Sequence, residues 1–252
     1  MGLDGFNMNQ PRVFDHFLVG HPVASGFLLS GSLPGPTWQF TQWSGAVCAQ
    51  VSGDAGAGGV ARISLASGNQ TQAFLTLKDN GAPFFLNSGG NLTMRALIRP
   101  VTTISGVHGY GVGMVGPGGS PVSGFMNPNQ TNVFSGHTCA GIANVSGSLY
   151  WSVFGANASG SKVITETTVP VDNTTYRDVQ LYMQPLQNGL TAVQVEIDGK
   201  QVVDSQGRLI RTWIGASGQA MTPFVGLVNG SDASIAQFDI DAIDVHVDTH
   251  QK

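Results

Sequence analysis

Only two glutamates occur in the 252-residue chain, Glu166 and Glu196, and they limit the carboxylate chemistry it can perform. Retaining glycoside hydrolysis needs two carboxylic acids about 5 Å apart, one as nucleophile and one as acid/base. Asp198 lies two residues after Glu196, so both fall on one face of a strand. Asp198 also precedes Gly199, and in Asp-Gly turns the aspartate side chain caps local backbone. The sequence therefore predicts no catalytic residue and a protein that is not an enzyme.

The densest acidic stretch lies near the end of the chain. It contains Asp239, Asp241, Asp244, His246, Asp248 and His250. Calcium usually takes its oxygen ligands from a loop that wraps the ion. Here apolar residues alternate with the acids, and the alternation shifts by one residue near Ala242, which predicts a final strand whose solvent-exposed face carries the acids. Such spacing also blunts a sheet edge against unwanted pairing. The histidines lack zinc spacing and the glycine-rich segments lack a phosphate-loop lysine, so we expect no metal and no cofactor.

Two aromatic residues are candidates for a platform on which a sugar ring stacks. Trp213 and Tyr110 both lie in or near predicted loops. For Trp213 the alternative is a place in the core or in a subunit contact. The other three tryptophans, Trp38, Trp43 and Trp151, fall in strand-like runs and are predicted to be core.

The composition narrows the class of protein. Charged residues make up 10% of the chain, against roughly 25% in ordinary soluble domains. The surface must therefore be covered by neutral polar groups, which suits a protein packed permanently against others or held outside a cell. With 11 scattered basic residues and a net charge of −4, no cluster exists to neutralise phosphates, which excludes nucleic-acid binding. No apolar run is long enough to span a membrane.

The two cysteines, Cys48 and Cys139, both lie in strand-like runs. Cysteine is often a small core residue, so we predict two buried free thiols. A bridge between them is the alternative, although nothing in the sequence demands it.

The stretch 177–203, RDVQLYMQPLQNGLTAVQVEIDGKQVV, is the clearest prediction of a β-hairpin in the chain. Apolar and polar residues alternate on both sides of Asn188-Gly189, and a second reversal follows at Asp198-Gly199. A period of two gives each strand one apolar and one polar face. Asn-Gly and Asp-Gly pairs accept the positive φ angles of tight hairpins.

Similar short runs recur along the chain, and none has the apolar period of a helix. Strands are predicted at 12–20, 38–52, 60–67, 70–78, 91–100, 109–116, 138–144, 148–155, 163–169, 222–229 and 238–248. In the run 91–100 the inward positions are Leu92, Met94, Ala96 and Ile98. The glycine-rich run 109–116 is predicted to be bulged or closely packed. Together these features predict one all-β domain at 13–252, an antiparallel sandwich.

Residues 1–12 read as an N-terminal arm without periodicity. Such an arm can reach a neighbouring subunit. We expect Phe6, Met8 and Arg12 to contact a sister subunit or a shell.

The order of these strands resembles the concanavalin A-like (laminin-G-like) jelly roll. NLTMRALIRP followed by GYGVGMVG is similar to the step from a convex strand into a "GL" strand, and SLYWSVFG resembles the strand that follows. VQVEIDGKQV is similar to the strand carrying an "iDG" turn, and FDIDAIDVHVD to a closing strand that returns beside the first. The resemblance implies a lectin- or glucanase-type sandwich. Glucanases of this fold carry Glu-x-Asp-x-x-Glu, but Gln201 occupies the third acidic position here.

A narrower resemblance links the chain to virion structural proteins of tailed bacteriophages. RVFDHFLVG at the start, a central W…SGAVCAQV strand and the close on DIDAIDVHVD carry it. It implies a non-enzymatic capsid decoration (cement) protein on the capsid surface, bound to the major capsid protein or other virion proteins. A homo-oligomer, trimer or dimer, is expected for such a part.

The alternative interpretation is a carbohydrate-binding, lectin-like module of a phage tail fibre or receptor-binding apparatus, with a glycan as partner. Fold alone does not decide between these two functions.

Overall fold

A computed structural model describes the chain in segments. They comprise residues 12–15, 28–29, 38–42, 47–52, 59–65, 71–77, 84–86, 90–102, 108–116, 137–144, 148–158, 162–186, 188–215, 219–229 and 235–249. All regular structure in these segments is β, as predicted. The described residues include no helix long and apolar enough to cross a membrane.

Two antiparallel sheets form a sandwich, which confirms the predicted fold class. Sheet A has the order β15-β14-β13-β8-β18-β5-β4, with β1 on β18 and β16 on β14. Its strands are β1 (Arg12–Asp15), β4 (Val47–Ser52), β5 (Gly59–Leu65), β8 (Gly90–Pro100), β13 (Arg177–Pro185), β14 (Thr191–Ile197), β15 (Lys200–Gln201), β16 (Arg211–Ile214) and β18 (Ala236–Thr249).

Sheet B has the order β12-β11-β10-β9-β17-β6-β3-β2, with β7 on β17. Its strands are β2 (Leu28–Leu29), β3 (Trp38–Gln42), β6 (Thr71–Leu77), β7 (Phe84–Phe85), β9 (His108–Val115), β10 (Cys139–Asn144), β11 (Tyr150–Ala156), β12 (Lys162–Pro170) and β17 (Ala220–Asn229).

The predicted hairpin is present with the predicted turns. Strand β13 pairs with β14 from Val179 opposite Ile197 to Pro185 opposite Thr191. Gly189 has φ 81°, while Asp198 and Gly199 have φ 54° and 72°. The second turn thus uses the two successive positive φ angles that a type I′ reversal requires. The closing strand β18 returns beside the first, with Val13 opposite Val245, as the resemblance implied.

The main core lies between the two sheets and follows the alternation of the sequence. Leu92, Met94, Ala96 and Ile98 all point into it, as predicted, and Trp38 and Trp151 are fully buried there. Trp43 lies outside the described residues. A second apolar cluster on the other face of sheet B includes Phe74, Phe154 and Phe224, and it is also buried. Sheet B is thus apolar on both faces, whereas sheet A is apolar on one.

Glycines allow two strands of sheet B to approach closely. Gly113 of β9 lies opposite Gly141 of β10. A Cβ at Gly113 would meet the Ala140 carbonyl oxygen and lie 2.8 Å from the Gly141 Cα. The expectation of close packing at 109–116 is therefore confirmed, and side chains larger than hydrogen are excluded from this pair of positions.

Two expectations about strands need correction. The run 38–52 is not one strand, because β3 pairs in sheet B and β4 pairs in sheet A. The chain therefore changes sheets between Gln42 and Val47, which a continuous apolar pattern does not reveal. The closing strand β18 is not an edge either, because β8 pairs along one side of it while β5 and β1 pair along the other. The predicted shift in the alternation of β18 is confirmed, because a register shift lies between Ile240 and Ala242.

Candidate functional site

The outward face of sheet A is the candidate site, and we call it the polar face. In β13 and β14 every second side chain points away from the core, and most of these side chains are partly exposed. Cross-strand register puts their side chains in rows perpendicular to the strands. One row contains Gln194, Tyr182, Thr93 and His246, and the next contains Glu196, Gln180, Arg95 and Asp244. The polar face therefore presents amide, hydroxyl, imidazole and charged groups side by side.

A depression of about 710 Å³, including its opening to solvent, lies on this face. The residues lining it are Asn91, Thr93, Tyr182, Met183, Gln184, Ala192, Gln194 and Asp248. Ala192 explains why a depression forms here. Its methyl group lies between the longer side chains of Gln184 on β13 and Trp213 on β16, each directly opposite it in the register.

Trp213 stands at the border of the depression. It belongs to the four-residue strand β16, where the sequence predicted a position in or near a loop, and 48% of the residue is exposed. The alternation in β16 buries its neighbours Thr212 and Ile214 and turns the indole outward. Trp213 is directly opposite Ala192, which lines the depression, although Trp213 itself is not one of the lining residues. An exposed indole next to amide groups can offer stacking and hydrogen bonds to one ligand.

Tyr182 and Glu196 form a hydrogen-bonded group beside the depression. The Tyr182 hydroxyl lies 2.6 Å from Gln180 Oε1 and 3.4 Å from Glu196 Oε2. Burial and the nearby Glu196 carboxylate raise the pKa of Tyr182. The phenol therefore stays protonated at neutral pH and serves as a fixed donor, which orients the Gln180 amide.

Two carboxylates of the polar face near Glu196, those of Asp178 and Asp198, accept hydrogen bonds from arginines. Asp178 is diagonal to Glu196 across the β13–β14 ladder, a relation in which the Cα atoms lie roughly 7–8 Å apart. Both carboxylate oxygens of Asp178 accept hydrogen bonds from Arg95, at 2.8 and 2.7 Å. Asp198 accepts from the Asp178 backbone N–H and from Arg177, rather than capping its own turn as predicted. The side chains of Asp178 and Asp198 thus have structural partners.

A larger ion-pair cluster lies further along the polar face. Asp239 accepts two hydrogen bonds from Arg62, at 2.6 and 2.8 Å, and one from Arg99 at 3.0 Å. The Arg99 guanidinium also lies 4.4 Å from the ring centre of Tyr176. Asp239 is fully buried, so the expectation that every acid of the last strand lies on a wet face is wrong at this position. The reason is that two arginines and a tyrosine cover it.

The remaining acids of β18 stay closer to solvent. His246 has its Nδ1 3.7 Å from Asp244 and its Nε2 3.6 Å from Asp248, and Thr93 Oγ1 lies 3.4 Å from Asp248. Across the described segments, no group of three or more His, Cys, Asp or Glu side chains is arranged to hold a metal ion. Of these acids, Asp248 lines the depression.

The other predicted site residues lie elsewhere. Tyr110 is buried with its ring 5.3 Å from that of Phe238 and its hydroxyl 3.0 Å from Thr102 Oγ1. Tyr110 therefore offers no exposed ring, because it lies on the same face of β9 as Val112 and Met114, which point into the core. Phe6 and Met8 lie outside the described residues. Arg12 begins β1 and lies opposite His246 in the register, so this residue belongs to the sheet rather than to a free arm.

Sequence reasoning missed most of the depression. Gln184, Ala192 and Gln194 belong to the predicted hairpin, and Asn91, Thr93 and Asp248 to two other predicted strands. Their outward orientation follows from the alternation. Their convergence depends on the order β14-β13-β8-β18, which no local pattern contains.

Comparison with known proteins shows the fold and no closer relationship. No protein-family model and no curated protein matches the chain. An endo-β-1,4-glucuronan lyase from Trichoderma reesei aligns with TM-score 0.56 and 12% identity over 90% of this chain and 96% of its own. An endo-1,3-β-glucanase from Streptomyces sioyaensis aligns with TM-score 0.53 and 12% identity over 99% and 100%.

The carbohydrate recognition domain of Emp47p aligns with TM-score 0.52 and 15% identity, over 88% of this chain and 92% of that domain. These likenesses confirm the concanavalin A-like sandwich of lectins and glucanases. The narrower resemblance to phage virion proteins stays a prediction.

Proposed function

We propose that this protein is a non-catalytic carbohydrate-binding protein that holds a glycan on the polar face of sheet A. The observation that carries the proposal is the exposed indole of Trp213 beside a depression lined by Gln184, Gln194 and Asn91. Sugar rings offer apolar faces for stacking and rims of hydroxyl groups for amide partners. The indole can stack on the apolar face of a sugar ring while the neighbouring amides bind its hydroxyl groups.

The composition and the neighbours support the same class of ligand. A neutral polar surface with few charges suits recognition of a hydroxyl-rich polymer. The three neighbours are named for carbohydrate recognition or for cleavage of glucan and glucuronan. In this chain the Asp178 carboxylate accepts two hydrogen bonds from Arg95. Gln201 also replaces the third acid of the glucanase pattern, and both features favour binding over cleavage.

Isothermal titration calorimetry with soluble β-1,3-glucan and β-1,4-glucuronan oligosaccharides, supplemented by a glycan array, tests the proposal. We expect at least one glycan to bind, and Trp213→Ala to weaken that binding by about tenfold, the equivalent of roughly 1.4 kcal/mol. Leu209→Ala is the matched control, because Leu209 is exposed to a similar extent, 52%, but it bridges Val203 rather than a residue that lines the depression.

Two results would contradict the proposal. One is the absence of binding to every glycan of the array. The other is an equal loss of affinity in Trp213→Ala and Leu209→Ala, which would place the binding surface elsewhere. Circular dichroism of both variants would verify that the sandwich is intact.

A virion structural role is the second proposal, in the form of a capsid decoration protein that assembles as a homo-oligomer on the shell. Its support is the narrower sequence resemblance, two stretches of which, at Arg12–Asp15 and in the closing strand β18, pair in the structure. Deletion of residues 2–11 followed by co-sedimentation with undecorated shells tests it. Binding that is unchanged by the deletion would exclude a role for the arm.

A further inference from the structure

Strand β16 carries two exposed side chains at the border of the depression. Arg211 lies opposite Gln194, and Trp213 lies opposite Ala192. Both Gln194 and Ala192 line the depression. The burial pattern of β16 turns Arg211 and Trp213 to the same, solvent-exposed side, where residues two apart have Cα atoms about 6.5 Å from each other. A cation and an aromatic ring are therefore neighbours beside the depression.

The Arg211 guanidinium forms no ion pair with any carboxylate of the described residues. The other five arginines whose side chains the structure describes each pair with an aspartate, and they are Arg62, Arg95, Arg99, Arg177 and Arg208. An unpaired arginine is thus the exception in the part of the chain that the structure describes. The donors of Arg211 remain available to a ligand.

The acid nearest to Arg211 in the strand register is Glu196. Glu196 lies two residues beyond Gln194 on β14, which makes it diagonal to Arg211. It is on the side of Arg211 away from Trp213, and its Oε2 atom lies 3.4 Å from the Tyr182 hydroxyl. The side of Arg211 toward Trp213 is therefore open to a negatively charged group.

Asp248 alone is charged among the described residues that line the depression, and it lies at the opposite end. In the register, a row across the sheet runs from Trp213 through Ala192 and Gln184 to Asn91 and Asp248. Neighbouring strands are about 4.8 Å apart, so the four steps of this row measure about 19 Å along the sheet. Because the Debye length is about 10 Å at 0.1 M salt, the charge of Asp248 is largely screened at the Trp213 end.

We propose that the glycan bound on the polar face is acidic, and that Arg211 pairs with the carboxylate of a uronic acid whose ring stacks on Trp213. The inference rests on the proposed function and specifies its class of ligand. The planar guanidinium fork donates two parallel hydrogen bonds to a carboxylate, a geometry that a hydroxymethyl group does not offer. Arg211 is thus the residue that determines specificity, while Trp213 and the amides bind what acidic and neutral sugars share.

Isothermal titration calorimetry with a matched pair of ligands tests the proposal. β-1,4-Glucuronan and β-1,4-glucan oligosaccharides of equal length differ only at carbon 6, which is a carboxylate in the first and a hydroxymethyl group in the second. We expect the glucuronan oligosaccharide to bind about fivefold more tightly, between the effect of an exposed ion pair and that of a charge-assisted hydrogen bond. Arg211→Gln should abolish this preference, whereas Trp213→Ala should weaken the binding of both ligands. Added NaCl should weaken only the glucuronan binding.

Arg208→Gln is the matched control, because the Arg208 side chain is 71% exposed but pairs with Asp204. Arg211→Lys keeps the charge and should keep the salt-dependent part of the preference. Equal affinity for the two oligosaccharides would overturn the inference and leave the proposed function intact. So would tight binding of neutral glycans alone, or an equal loss of glucuronan affinity in Arg211→Gln and Arg208→Gln. The absence of binding to every glycan would overturn both.

Discussion

Asp239 shows how an acid can be buried on the solvent side of a sheet. Its partners Arg62 and Arg99 come from the strands on either side, β5 and β8, so one carboxylate links three strands. Hydrogen bonding to Asp239 raises the pKa of Arg62. Removing the acid would leave two guanidinium groups beside each other with no counter-charge from Asp239.

Asp239→Asn is therefore expected to destabilise the fold by about 3 kcal/mol, measured by urea denaturation, because it breaks a buried ion pair from one side. Asp178→Asn is the matched control. It removes a similar bidentate pair, but Arg95 is 60% exposed, so we expect a loss of less than about 1 kcal/mol. Equal losses in the two variants would show that burial of Asp239 has no energetic consequence.

The two thiols should be unreactive in the folded protein. Burial raises the pKa of Cys48 from 9.0 to about 12 and also raises that of Cys139, and both residues are fully buried. We expect a thiol reagent at pH 8 to label neither cysteine before unfolding and both after it. Labelling of the native protein within minutes would contradict this.

The same burial predicts a dependence of stability on alkaline pH. The folded pKa of Cys48 lies above its unfolded value, so the unfolded chain releases the proton first. Its contribution is fully present below pH 9 and is lost as the pH rises from 9 toward about 12. Cys48→Ala should flatten the fall of the free energy of unfolding across this range, as measured by denaturation at a series of pH values. An unchanged slope would exclude this thiol as the cause.

At the residue level, the inward positions of β8 could be predicted from sequence, because in a strand every second side chain points to the same face. It could not assign Tyr110, whose neighbours Gly109 and Gly111 carry no polarity signal. Nor could it locate the partners of Asp239, which are 140 and 177 residues away in sequence.

At the level of elements, the close contact between β9 and β10 gives a direct test. Gly113→Ala places a methyl group against the backbone of Ala140 and Gly141, which cannot move like a flexible side chain. We expect a loss of about 1–3 kcal/mol, typical of overpacking, measured as a lowered denaturation midpoint.

Gly215→Ala is the control for this prediction. Its added methyl group would meet only the Asn157 side chain, at 3.5 Å, and should cost much less. If the Gly113 variant were as stable as the Gly215 variant, the two strands could separate without penalty.

Most elements could be predicted because each contains its own turn and period, as in the hairpin β13–β14. The exceptions have a physical cause. Strand β16 is four residues long and alternates Arg211, Thr212, Trp213 and Ile214, too short a pattern to distinguish from a loop. The division between β3 and β4 depends on which sheet each strand joins, and both strands carry core residues.

For the whole molecule, sequence indicated the class of sandwich but not the surface that carries the depression. Three strands from three regions of the chain must lie side by side before Asn91, Gln184 and Asp248 share one space. Long-range pairing of this kind is a property of the complete fold.

At this scale we expect binding without turnover. After prolonged incubation with a bound glycan, chromatography should recover the oligosaccharide unchanged, and Glu196→Gln should retain the affinity of the unaltered protein within about twofold, less than roughly 0.5 kcal/mol. Cleavage products that vanish in the Glu196→Gln variant would show that the polar face is catalytic.

The register shift in β18 has a consequence for comparing this chain with its relatives by sequence. Before the shift Asp239 faces outward, and after it the outward residues are Ala242, Asp244, His246 and Asp248, so odd positions give way to even ones. Asp241 is the extra residue, so deleting it alone would make the strand regular while the later aspartates still face outward and the valines inward. A relative with a regular strand here must carry the opposite parity downstream, and an alignment without a gap at this position would pair its core with this protein's surface.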